Sequence, residues 1–247
     1  MALLTQNSEL KPDGIWNWTL PAWQVKLSDG TWFNACPQAC ACVNLCYARN
    51  GTYLFPTVKA KHLSNLERTL SDLGQWQSDM LKDIKSHKKI TYVRLHDAGD
   101  FYSDDYLQAW LDIATLTPSV TFYASTKEVI RFKRMVEGAC PKNFKYLYSL
   151  GGKEDHLINK DDDRHAEVFP DEAALDAAGY MNQTKSDLLA ITLPTNKIGI
   201  MANNIKHFKK KQGVETFGSL QAAREEKKQH KRHKGATRFK NDTAEMD

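Results

Sequence analysis

A chain of 247 residues with 41% hydrophobic content has enough apolar mass for one large domain with a buried core, and it needs no disulfides to hold that core together. No run approaches 18 apolar residues, and Met1-Ala-Leu-Leu-Thr-Gln-Asn7 has no basic segment before its short apolar stretch, so neither a membrane span nor a secretory leader is expected and the expected compartment is the cytoplasm. The net charge of +4 is uneven: from Arg224 to Lys240 there are eight Lys/Arg against two Glu, the last seven residues hold three acids, and residues 1–223 are left close to neutral.

Residues 1–33 contain Trp16, Trp18, Trp23 and Trp32 and read as an irregular N-terminal lead-in, with one short strand over 22–27 before the turn Ser28-Asp-Gly30. A cysteine-rich loop follows. Over 57–87 the apolar residues Val58, Leu66, Leu70, Leu73, Trp76, Met80 and Ile84 recur at spacings near three and four, which predicts a helix. Strands are predicted over 90–95, 120–124 and 146–150, with helices over 104–114 (Ser103 as N-cap) and 127–137 between them. Later segments 166–169, 188–193 and 198–201 read as strands, and 171–178 as a helix. Residues 153–164, with Asp161-Asp-Asp163, read as a surface loop.

Alternating strands and helices predict an α/β fold with parallel strands and crossover helices. Six to eight strands suit a complete or partial (β/α) TIM-type barrel, with an open doubly wound sheet as the alternative. The expected organisation is a lead-in over 1–33, a barrel-like domain over 34–223 and a basic tail over 224–247.

Four of the five cysteines fall within eleven residues, as Cys36-x3-Cys40-x-Cys42-x3-Cys46, while Cys140 stands alone. Thiols this close together cannot staple distant parts of a fold, but they can gather on a soft metal centre. Zinc sites usually pair two Cys-x2-Cys or Cys/His units from separate places, and no such second half is present. A [4Fe-4S] cluster fits better, because three thiolates from one loop hold three irons and leave the fourth open to a small chelating ligand. Cys-x-Cys is cramped for two corners of one cube, so Cys36, Cys42 and Cys46 are the favoured ligands, with Cys40 spare or a fourth. The plain alternative is a loop of incidental thiols.

A second constellation, Arg94-Leu-His-Asp-Ala-Gly-Asp-Phe101, lies where a predicted strand opens onto a helix. In parallel α/β folds ligands bind at that end of the strands. Gly99 allows close approach of backbone to a ligand, Asp97 and Asp100 can accept from amines or hydroxyls, and His96 can relay protons. The plain alternative is a turn whose aspartates cap local amides. Ser125 and Lys127, Ser149, and Asn203-Asn204 follow other predicted strands, so that polar groups would ring one mouth of a barrel. Phosphate-loop, dinucleotide, His-Glu-x2-His and Gly-x-Ser-x-Gly patterns are all missing from the sequence.

Cys36-Pro, Cys42-x3-Cys46-Tyr-Ala, the 94–101 block, Tyr106-x3-Trp110 and Phe122-Tyr-Ala-Ser-Thr-Lys127 together resemble the phage "gene product 88" family over roughly residues 30–205. That family is similar to a distant branch of the radical S-adenosylmethionine (SAM) barrels. The resemblance implies a [4Fe-4S] cluster on Cys36, Cys42 and Cys46 after the first strand. It also implies SAM contacts from Ala98, Gly99, Asp100, Ser125 and Ser149, with His96 or Lys127 assisting protons or carboxylate recognition. The spacing Cys-x5-Cys-x3-Cys differs from the Cys-x3-Cys-x2-Cys usual in radical SAM enzymes. Two functional expectations follow. One is a radical SAM-like catalyst in the host cytoplasm, with an unnamed electron donor and a substrate related to nucleic acid. The other is a non-catalytic nucleic-acid-binding protein with a structural or redox-sensing cluster, gripping phosphates through the 224–240 tail.

Overall fold

The computed structural model describes residues 2–203 and 205–244, with side chains as far as residue 231. Strand β1 (Ile15–Trp18) is followed by an antiparallel hairpin, β2 (Gln24–Lys26) and β3 (Trp32–Asn34), and by helices α1 (Pro56–Ser71) and α2 (Leu73–Ser86). Then come β4 (Tyr92–Leu95), α3 (Asp104–Leu116), β5 (Thr121–Thr126), α4 (Val129–Met135), β6 (Phe144–Ser149) and β7 (His165–Phe169). The chain continues through α5 (Glu172–Ala177), β8 (Met181–Asn182), α6 (Leu189–Thr192), β9 (Lys197–Met201), α7 (Lys206–Gln212) and α8 (Phe217–Ala244).

Seven parallel strands form one sheet in the order β1-β4-β5-β6-β7-β9-β8. The order advances in one direction and reverses only at the two-residue edge strand β8. A doubly wound sheet would reverse near its middle, so the topology is that of a partial TIM-like barrel.

Local chemistry explains where the elements break. The helix expected over 57–87 is two helices, because Asp72 leaves helical geometry and its side chain accepts from the Gln75 N–H at 2.8 Å, capping α2. Ser103 caps α3 in the same way through the Tyr106 N–H at 3.1 Å, with Asp104 and Asp105 favourably placed in the first turn.

Segment 188–193, expected as a strand, contains helix α6 instead. Leu188 and Ile191 pack with Leu10, Ile15 and Tyr123, whereas Ala190 and Leu193 pack with Leu147, Ala166 and Ile198. Residues three apart share a face, which is helical spacing, and a short apolar run does not reveal that by itself. The lead-in also holds more order than its sequence suggests. β1 lies within it, and the free edge of β1 is bridged by Thr5, whose N–H and C=O exchange hydrogen bonds with Asn17. Asn17 is buried and polar in the middle of that strand, which hides the usual alternation.

The main core lies between the sheet and helices α2 and α3. Trp18, Trp76, Trp110 and Tyr106 are all essentially buried, with ring centroids 5.1–5.6 Å apart where Trp76 meets the other three. Such rings bury roughly 150–250 Å² each, so this cluster dominates the packing that fixes the β1 and β4 ends.

Candidate active site at the mouth of the strands

A cavity of about 420 Å³ opens at the C-terminal ends of the parallel strands. Its wall takes residues from the cysteine loop, from the segments after β4 and β5, and from the ends of β6, β7 and β9. Cys36, Cys42 and Cys46 all line it, whereas Cys40 is buried outside it. All five cysteines are free thiols.

The loop is fastened to the barrel by backbone. The Cys42 N–H donates to Gly151 O at 3.2 Å, the Lys153 N–H donates to Gln38 O at 2.8 Å, and Ala39 bridges Gly152. Gly151 has φ +100°, and a side chain there would press on Cys42 and Phe217. The Trp23 N–H donates to Cys36 Sγ at 3.2 Å.

Burial pushes all three cavity thiols above their ordinary value. For Cys36 the Asp100 charge adds to the rise, and for Cys42 the nearby Lys127 charge opposes it. Among the described residues no three His, Cys, Asp or Glu side chains are placed to hold a single metal ion. A cubane spreads its ligands over separate corners, and three cysteines on the wall of one cavity are compatible with that arrangement. A backbone N–H directed at Cys36 Sγ also suits a thiolate ligand, whose potential such bonds tune.

His96, Asp97, Ala98, Gly99, Asp100, Ser125, Lys127, Ser149 and Asn203, all named from the sequence, also border the cavity, while Asn204 lies outside the described residues. Several are already engaged by the protein. Asp100 Oδ1 accepts from the Phe101 N–H and the Thr126 hydroxyl at 2.8 and 2.7 Å, and Oδ2 accepts from the Lys127 N–H at 2.9 Å. The carboxylate thus ties the end of β4 to the end of β5. Lys127 Nζ donates to Ser149 O, Ser149 Oγ and Leu150 O at 2.9, 2.7 and 3.1 Å, so its three donors are all used, leaving its charge to act on Cys42 and Cys46. Gly99 has φ +83°, and a Cβ there would lie 2.5 Å from Leu20 Cβ, so the glycine is required by packing against β1's following residues as well as by backbone conformation.

A second polar group in the same cavity was not legible as a unit. Arg94 Nη1 pairs with Asp187 Oδ1 at 3.0 Å and its Nε with Asp97 Oδ1 at 3.3 Å. The Tyr123 hydroxyl donates to Asp187 Oδ2 at 2.5 Å, and Asn7 and Asn17 donate to Asp97 Oδ2. The Tyr47 hydroxyl donates to Asp97 O, linking this group to the residue after Cys46. Asn17, Arg94 and Tyr123 are direct register partners on β1, β4 and β5, so the row lies across one face of the sheet. Asp187 comes from the far end of the chain, which is why spacing could not announce it.

The C-terminal helix is also part of the site. Phe217 lines the cavity, Glu167 accepts from the Gly218 N–H and the Thr216 hydroxyl, and buried Gln221 accepts from the Ala41 N–H at 3.0 Å within the cysteine loop. Helix α8 runs unbroken from Phe217, so residues 224–244 continue an element docked on the barrel. Arg232, Lys234, Arg238 and Lys240 lie outside the residues whose side chains are described.

Comparison with known proteins returns the gene product 88 family that the sequence resembles. The "Gene 88 protein" of Mycobacterium phage L5 is 30% identical over 112 residues, covering 42% of this chain and 46% of that protein. The "Gene 88 protein" of Mycobacterium phage D29 matches with the same identity and coverage. The match spans about half the length of these curated relatives. No solved structure matches the chain significantly. The family model described as "Gene product 88" matches residues 1–236, and with that span the chain belongs to the gene product 88 family.

Proposed function

We propose that this chain is an iron–sulfur protein of radical SAM-like type, acting in the cytoplasm of the phage's host. Cys36, Cys42 and Cys46 would ligate a [4Fe-4S] cluster at the mouth of the partial barrel. The observation that carries this reading is the sorting of the four clustered cysteines: three line one cavity at the C-terminal ends of parallel strands, and the fourth is buried elsewhere. Such a cluster supplies one-electron chemistry and, with one iron free of protein ligands, a place for a small chelating molecule such as SAM. Around it the protein's own residues have definable tasks. The Trp23 N–H steadies Cys36, Lys127 sets a positive charge beside Cys42 and Cys46, and Asp100 fixes the β4 and β5 ends. Ser125 and Gly99 border the space a ligand would fill. A reducing cytoplasm keeps such thiols available.

Purification without oxygen, followed by iron and sulfide analysis, tests the reading. The expected result is about four iron and four sulfide per chain. Cys36→Ala, Cys42→Ala and Cys46→Ala should each lose most of the iron, while Cys40→Ala keeps it. An iron-free preparation, or iron that depends on Cys40 and not on Cys36, would overturn the assignment. SAM added to the reduced protein should change its spin-resonance spectrum; an unchanged spectrum removes SAM from the proposal and leaves the cluster.

A further inference from the structure

Positive charge near the cysteine loop is not confined to the tail. Between residues 205 and 231 there are eight Lys/Arg, namely Lys206, Lys209, Lys210 and Lys211 in and around α7 and Arg224, Lys227, Lys228 and Lys231 in α8, against three Glu. All eight are exposed, and among the described residues none of them is in an ion pair. Lys211 and Arg224 meet Asn44 and Leu45 of the cysteine loop in a surface groove.

The helical register gives this charge a direction. Phe217, Leu220, Gln221 and Arg224 are spaced i, i+3, i+4 and i+7, so they share one face of α8. That face docks on the barrel: Phe217 lines the cavity and Gln221 holds the cysteine loop. Arg224, Lys227, Lys228 and Lys231 repeat the same spacing, so the face that docks becomes the face that carries cations about two turns later. Glu226 falls off this stripe, while Glu225 sits at its edge, four residues after Gln221, and is engaged there by accepting from Gln221 Nε2 at 2.8 Å. Helix α7 contributes Phe208 and Gln212 to the cavity wall, so the helix that carries these lysines sits at the rim, with Lys211 in the groove beside Arg224.

We propose that the shared face of α7 and α8 binds the phosphate backbone of a nucleic acid and lays it across the rim of the cysteine cavity. As the route by which a substrate reaches the cluster, this rests on the reading above; as a binding surface it does not. A polyanion with regularly spaced charges suits a cationic stripe, because each neutralised phosphate releases counterions. An anionic membrane fits less well. From Gln221 to Lys231 α8 carries no large apolar side chain to enter a lipid interface.

Fluorescence anisotropy of the full chain with a labelled single strand of roughly 20 nucleotides and with the matching duplex, over a series of KCl concentrations, measures the binding. Two variants separate the surfaces: Lys209→Gln/Lys210→Gln/Lys211→Gln, and Lys234→Gln/Arg238→Gln/Lys240→Gln. The α7 variant should bind about tenfold or more weakly and flatten the log–log salt slope by about 2 on the single strand or about 3 on the duplex. Iodouracil in the strand should crosslink to the 41–47 loop. No binding to either nucleic acid, a loss confined to the 234–240 variant, crosslinks only beyond residue 231, or preferential binding to phosphatidylserine vesicles would each overturn the proposal. Iron content measured on the same samples keeps the two readings apart. α7-dependent binding by an iron-free chain sinks the cluster and spares the surface, and an iron-loaded chain that ignores nucleic acid does the reverse.

Discussion

His96 is buried, its backbone has φ 67°, and its Nδ1 has no hydrogen-bond partner. Trp18 Nε1–H donates to the Tyr106 oxygen at 2.8 Å, and that hydroxyl lies 2.9 Å from His96 Nε2. Either ring tautomer makes the Nε2–Tyr106 hydrogen bond, and in both Nδ1 is left as a buried polar atom without a partner. An unpaired buried polar group costs about 1–3 kcal/mol, and left-handed backbone at a non-glycine residue costs about 1–3 kcal/mol. The residue thus concentrates strain where it borders the cavity. Burial pushes its pKa down to about 3 from an ordinary 6.5, so at neutral pH the ring is a fixed, neutral hydrogen-bonding group and a poor proton relay. The consequence for stability has a definite sign. Below pH 6.5 the unfolded chain takes up a proton at this ring that the folded chain refuses, so stability present above 6.5 is lost as pH falls toward 3. Urea unfolding over a pH series should show the wild type losing about 1.4 kcal/mol per pH unit, at the steepest, relative to His96→Asn, whose side chain tolerates the left-handed backbone. Parallel curves would show that the ring titrates alike in both states.

At the scale of elements, the cysteine loop owes its position to two neighbours that are remote in sequence. Gly151 and Gly152 after β6 receive it by backbone hydrogen bonds, and α8 holds it from outside through Gln221. The near-complete burial of Gln221 means that its loss leaves the Ala41 N–H without an acceptor. Gln221→Leu should therefore cost about 1–3 kcal/mol and free the loop locally. Amide exchange at Ala41 and alkylation at Cys42 should both accelerate, with exchange in β5 and β6 unchanged. Equal acceleration throughout would mean that the whole barrel had loosened instead. The start of α8 is held as firmly: a side chain at Gly218 would stand 2.4 Å from Glu167 Oε2, the oxygen that accepts from the Gly218 N–H and the Thr216 hydroxyl.

Across the whole molecule, the sheet does not close on itself by strand pairing among the described residues. β1 and β8 are its two ends, and the gap between them is spanned by the lead-in and by the segment before α6. Thr5 pairs with β1, Asp13 accepts from the Ser186 hydroxyl at 2.6 Å, and Asp187 reaches Arg94 and Tyr123 on β4 and β5. Leu10, Ile15, Tyr123, Leu188 and Ile191 fill the space beneath. Asp187→Ala removes one of the two carboxylates that neutralise Arg94. The expected loss is on the order of 2–3 kcal/mol, below the full cost of breaking a buried pair because the Arg94 side chain keeps 24% of its surface exposed. Chemical unfolding checks the figure; a change within about 0.5 kcal/mol would mean that the apolar cluster alone closes the barrel. No helix among the described residues is long and apolar enough to cross a membrane.

The parallel α/β architecture and most strands and helices around it were legible in the sequence, because β-rich runs such as 120–124 and helical spacing such as 104–114 are local properties of the chain. So were the cysteine cluster and the 94–101 block, since each is a contiguous run of the chain. The sequence could not show that Ile15–Trp18 is a sheet strand, because its central Asn17 faces buried carboxylate and hydroxyl partners rather than water. Nor could it show that 188–193 turns helically to serve two apolar clusters at once. Spacing favoured Cys36, Cys42 and Cys46 and left Cys40 spare or a fourth; only tertiary structure placed Cys40 outside the cavity the other three line, brought Asp187 to Arg94, and docked the 217–221 face of α8 on the barrel. Each of these depends on which side of an element meets which distant neighbour, and that is decided by packing and by the pairing of buried charge.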